Sequence, residues 1–198
     1  MTHDRFVPPE IIRRKISLEE VCTDWSEYRH QTDSGLADEI CQRHLGRAPE
    51  PEELAQLQQQ FLQGLEGATR AGQRIGEVRG ASAFLRSDLL RGEWKIAIAT
   101  GGWSASAVLK LRSAGFVSND LPMATADDAV DRIEILRAAI RRAEQVYGAP
   151  FHRIVYVGDN LWDLRAARKL GLGFVGIACG ETARCLQREL NACRCSSE

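Results

Sequence analysis

The stretch "RIVYVGDNLWDLRAARKLGLGFVGIACG", residues 153–180, decides the fold. An apolar run over 153–157 ends in Gly158-Asp159. A second carboxylate stands at Asp163, an Ala-rich helical pattern runs to Gly171, and another short apolar run covers 173–178. Strand, helix and strand at that spacing predict two parallel strands joined by a crossover helix. The same grammar holds upstream. A strand is predicted over 94–99, a helix over 104–114, a short strand in "LPMAT", and a helix over 132–146. The alternation predicts an α/β chain with a Rossmann-like three-layer parallel sheet, its strands buried on both faces and its ligands at their C-terminal ends.

Residues 17 to about 75 carry helical signals instead. In "APEPEELAQLQQQFLQGL", Pro51 suits an early helical position and Glu52 and Glu53 complement the amino-end dipole. Leu54, Leu57, Phe61, Leu62 and Leu65 recur at helical spacing. The glycines from Gly64 to Gly80 interrupt that period and read as a connector. The expected organisation is a helical segment over 1–75 and an α/β core over 76–198.

With 198 residues, 44% hydrophobic and 27% charged, the chain is long enough for one core and a smaller appendage. Lys+Arg 26 against Asp+Glu 27 leaves a formal charge of -1, which gives no electrostatic case for nucleic acid or an anionic membrane as partner. No apolar run approaches the roughly 18 residues of a membrane span, and "MTHDRFVPPE" is no signal peptide. Six cysteines at 22, 41, 179, 185, 193 and 195 lack disulfide framing and suit reduced thiols in the cytosol. Only "CLQRELNACRC" clusters them, without histidine, so a frayed end accounts for it better than zinc does.

Three segments lie at strand ends or helix starts. In "IAIATGGWSASAVLKL" the strand ends at Thr100. Gly101 and Gly102 let the backbone approach a ligand, and Ser104 is placed to cap the next helix, which outlines an anion pocket. A plain tight turn is the other reading. In "TADDAVDRIEILRAAI", Asp131 is placed to cap a helix with Glu134 reaching back, which leaves the Arg132 cation in the first turn; a solvated surface residue is the alternative. At Asp159 and Asp163 two carboxylates face the same strand mouth. A hard divalent cation would relieve their repulsion, and Mg2+ takes one or two carboxylates plus waters and a phosphate. Helix capping by Asp159 or Asn160, with Asp163 on the dipole, explains the same residues.

In this order, "IAIAT" with Thr100, Arg132 at a helix start, and "VYVGDNLWD" with Asp159 and Asp163 resemble the second, third and fourth motifs of the haloacid dehalogenase-like hydrolase superfamily. The resemblance covers roughly 76–180, and the helical segment before it looks like the cap of many members. Arg132 stands where the family usually has Lys. The resemblance implies Mg2+-dependent hydrolysis of a phosphate monoester through an aspartyl-phosphate. It gives Thr100 the phosphoryl oxygens, Arg132 the charge on nucleophile and phosphate, Asp159 and Asp163 the metal, and the cap the choice of a small phosphorylated metabolite.

The first family motif, a strand followed by DxDxT, has no counterpart. Asp4 follows only "MTH" and precedes Val7-Pro8-Pro9, a poor central strand, and residues 10–20 read as helix. In the family that strand lies between those bearing the second and fourth motifs, so its absence leaves two apolar edges unpaired or forces them together. The expectation is a chain that lacks the N-terminal part of such an enzyme; the rival is a non-catalytic relative that binds phosphate or a partner.

Two further stretches carry weaker signals. "DWSEYRHQTDSG" is polar and aromatic enough to line a pocket, as exposed helix ends also are. "GLGFVG" over 171–176 satisfies GxGxxG but follows a helix and enters a strand, the reverse of a dinucleotide fingerprint. The four histidines at 3, 30, 44 and 152 form no ligand spacing.

Overall fold

The structure is a computed structural model that describes residues 21–22, 24–73, 75–87, 94–116 and 121–194. The helix expected over 10–20 and the surroundings of Asp4 lie outside the described residues, as does Cys195. The chain divides into two compact units, Met1–Tyr147 and Gly148–Glu198.

In the first unit a 3-10 turn, Trp25–Glu27, leads into α1, Asp33–Leu45. Thr32 caps α1 by accepting the Gly35 N–H, satisfying one of the donors that a helix start leaves without an intrahelical acceptor. Helix α2, Pro51–Arg70, starts as its sequence predicts, with Pro51 first and the Glu53 side chain accepting the Glu50 N–H at 3.0 Å. It then runs on through Gly64 and Gly67, so the connector expected from Gly64 begins only at Ala71. Two glycines weaken a helix by roughly 1 kcal/mol each relative to alanine; the apolar stripe ahead of them carries the helix past that cost. Leu57 is 1% exposed and packs with Tyr28, Leu36, Ile40 and Trp103, while Phe61 meets Trp103 edge-on at 5.7 Å between ring centroids.

After the short helix α3, Ala81–Leu85, come β1, Ile98–Ala99, then α4, Ser104–Ser113, β2, Met123–Ala124, and α5, Arg132–Tyr147. β1 and β2 pair in parallel, Ile98 opposite Met123 and Ala99 opposite Ala124. Ile135 and Ala139 of α5 pack on Ala124. Both strands are shorter than their apolar runs. Bonds of strand type continue at the ends, Ile98 N–H to Pro122 O and Thr100 N–H to Ala124 O.

The second unit holds β3, Val155–Gly158, α6, Leu161–Lys169, β4, Gly173–Gly176, and α7, Gly180–Arg194. β3 and β4 are parallel, with Val157 opposite Val175, as the crossover pattern requires. Leu164 and Ala167 of α6 and Leu186 of α7 are buried. Tyr156 and Phe174 meet edge to face at 6.2 Å. Val157, Val175 and Ile177 alternate with those rings and are 50%, 48% and 44% exposed, so this part of the strand pair is open to solvent. The glycines of "GLGFVG" have structural duties. Gly171, at φ 67°, ends α6, and Gly173 enters β4 where a Cβ would come within 3.2 Å of Val155 Cγ2.

The chain is thus α/β with parallel pairs and crossover helices. Among the described residues the strands form two separate pairs, β1-β2 and β3-β4. No helix among the described residues is long and apolar enough to cross a membrane.

Candidate active site

Thr100, Gly101 and Gly102 leave the carboxyl end of β1 and turn into α4. Thr100 Oγ1 accepts the Gly102 N–H at 3.1 Å, so the hydroxyl proton points away from that bond and remains available as a donor. The Arg132 guanidinium lies against Gly101: a Cβ there would stand 2.5 Å from Arg132 Nη2 and 3.0 Å from the Gln31 carbonyl oxygen. Only glycine admits this approach. The same Nη2 donates to Gln31 O at 2.7 Å. The structure therefore brings Thr100, Gly101, Gly102 and Arg132 to one turn, where hydroxyl, backbone amide and guanidinium are all donors.

Two details differ from the sequence reading. Ser104 does not cap α4; the N-cap is Trp103, and Ser104 N–H donates to Asp127 Oδ2 at 2.9 Å. Asp131 does cap α5, accepting the Ile133 N–H at 2.7 Å, but Glu134 pairs with Arg137 at 3.6 Å. Nearby, Arg142 of α5 makes a two-pronged ion pair with Asp128, and this bond holds the Asp128 carboxyl below its ordinary range.

Residues 31–34 also belong to this site, and the sequence marked them only as part of a polar, pocket-like stretch. Asp33 Oδ2 accepts the Trp103 N–H at 3.0 Å, and Asp33 N–H donates to Gly101 O at 2.7 Å. Ser34 Oγ accepts from Trp103 Nε1 at 2.8 Å and donates to Ala126 O at 2.7 Å, while Thr32 Oγ1 donates to Val130 O at 2.7 Å. Burial pushes the Asp33 carboxyl above its ordinary pKa, against the Trp103 hydrogen bond and the Lys110 and Arg132 cations, which lower it. The signal that could have found Asp33 is a capping Thr followed at once by an acid, inside a polar stretch flanked by aromatics.

In the second unit the Asp163 carboxylate, on a residue 3% exposed, reaches back to the strand mouth. Its Oδ2 accepts Asp159 N–H and Asn160 N–H, both at 3.1 Å, and its Oδ1 accepts the Tyr156 hydroxyl at 2.8 Å. Asn160 completes a capping box on α6. Gly158 is crowded by this carboxylate, for a Cβ there would lie 2.5 Å from Asp163 Cβ. Asp159 is exposed at the end of β3. Asp159 and Asp163 stand four residues apart at this strand end, and carboxylate oxygens are the donor type that Mg2+ takes, few to a site. Among the described residues no group of three or more His, Cys, Asp or Glu side chains forms a metal cage.

A family model for haloacid dehalogenase-like hydrolases matches residues 9–171. No curated protein matches the chain, and no solved structure does.

Proposed function

Because the chain belongs to the haloacid dehalogenase-like hydrolases, we propose that it serves Mg2+-dependent hydrolysis of a phosphate monoester, a small phosphorylated metabolite, in the cytosol. The observation that carries this reading is the Arg132 guanidinium lodged against Gly101, the residue that follows Thr100. A phosphoryl group there would receive hydrogen bonds from Thr100 and a backbone amide, with Arg132 offsetting charge as it moves to the attacking carboxylate. Asp159 and Asp163, in the second unit, would hold Mg2+, which when bound supplies charge neutralisation. The helical segment over 1–75 would act as the cap that selects the substrate. The attacking aspartate of an aspartyl-phosphate route has no counterpart in the sequence, and the reading assigns it to an upstream extension of the chain.

The test compares the 198-residue chain with a form extended upstream, using a generic aryl phosphate and Mg2+. The extended form should turn it over and the shorter one should not. Thr100→Val in the extended form should cost roughly 100-fold in kcat, the range for losing one preorganised donor. Appreciable Mg2+-dependent turnover by the shorter chain would overturn this account of the nucleophile. One observation favours a second reading, a non-catalytic phosphate- or partner-binding relative: the Asp163 carboxylate already serves as a helix cap. An extended form that binds phosphate equally with and without Mg2+, and turns nothing over, would select that reading.

A further inference from the structure

Four backbone amides start the turn that follows β1, and three of them are committed. Gly102 N–H goes to Thr100 Oγ1, Trp103 N–H to Asp33 and Ser104 N–H to Asp127. Gly101 N–H, in a buried residue, meets no acceptor among the described residues. A buried amide without an acceptor is costly, so its orientation is imposed by its surroundings. Asp33 holds the peptide planes that come next. Asp33 grips the turn on both sides of Gly102, donating from its backbone to Gly101 O and accepting at its side chain from Trp103 N–H. One residue thereby fixes the peptide planes flanking Gly102, including the carbonyl whose residue bears the uncommitted N–H. Its neighbours hold the rest of the site: Gln31 O receives Arg132, and Thr32 and Ser34 bond the carbonyls of Val130 and Ala126.

We propose that Asp33 is the positioning residue of the anion-accepting turn, holding Gly101 N–H and Thr100 Oγ1 in the orientation that receives a phosphoryl oxygen. This rests on the reading of that turn as the phosphate site. The role needs an acceptor oxygen at Asp33, not a negative charge, because a second anion beside a phosphate would repel it. Asparagine keeps the acceptor and drops the charge; alanine drops both. The two substitutions therefore separate positioning from any role as base, metal ligand or electrostatic partner.

The experiment titrates inorganic phosphate into the full 198-residue chain by calorimetry, for the native protein and for Asp33→Ala, Asp33→Asn and Thr100→Val. Asp33→Ala should weaken phosphate at least about tenfold, and Asp33→Asn should bind as tightly as the native chain or more tightly. A tenfold loss in Asp33→Asn, with its circular dichroism unchanged, would overturn the inference, and this arm stands even if Asp33→Ala does not fold. Native-like affinity in a folded Asp33→Ala, with affinity lost in Thr100→Val, would overturn the role of Asp33 while leaving the phosphate site in place. Affinity unchanged in Thr100→Val, or no phosphate binding by the native chain, would remove the site reading and the inference together.

Discussion

At the scale of single residues, Asp33 feels its burial most in its acidity. Its carboxyl is pushed above the ordinary value of 3.8 chiefly by burial. The groups facing it are Lys110 of α4 and Arg132 of α5, which favour the anion, and Asp127, which opposes it. A carboxyl that holds its proton more tightly folded than unfolded makes stability fall as pH rises from the unfolded value through the folded one. Asp33→Asn is neutral throughout. It should therefore gain stability relative to the native chain as pH rises toward 7, and that gain should disappear below about pH 3.8. Urea titrations of both proteins across pH measure this; Asp128, with its depressed value, titrates in both and cancels. A native chain that gains on Asp33→Asn as pH rises would show that the Trp103 bond and the two cations outweigh burial.

At the scale of elements, helix starts and periodic faces were legible in the sequence. Pro51 with Glu53, and the Leu54, Leu57, Phe61 stripe, place α2 correctly at its start. Its end was not legible, because Gly64 and Gly67 look like a connector until the packing of the preceding turns is known. The apolar runs marked β1 to β4 in the right order. How many of their residues join a ladder depends on the partner strand, and no run states that. Leu57 is where α2 depends most on the core. Leu57→Ala should destabilise the chain by about 2–5 kcal/mol, read as a lower urea midpoint at unchanged slope. A loss below 1 kcal/mol would mean that α2 is not held by the Tyr28, Ile40 and Trp103 cluster.

At the scale of the whole molecule, the motif residues Thr100, Arg132, Asp159 and Asp163 were legible because each stands at a strand end or a helix start, positions that follow from local pattern. The 31–34 segment was not, because its partners are distant in sequence: Asp33 meets Trp103 across 70 residues and Gln31 meets Arg132 across 101. No local period records such a pairing. If Mg2+ and phosphate bind the folded chain alone, linkage fixes the size of their effect. At a hundred times the dissociation constant they add about 2.7 kcal/mol, which for a chain of this size raises the thermal midpoint by about 5–10 °C. A midpoint unmoved by both together would count against any phosphate site, catalytic or not. The reach of residues 31–34 also governs assembly. Closing loops of 70 to 101 residues costs entropy before any contact returns it. The bonds that hold the turn after β1 therefore cost more chain entropy to close than the local bonds within the helices do.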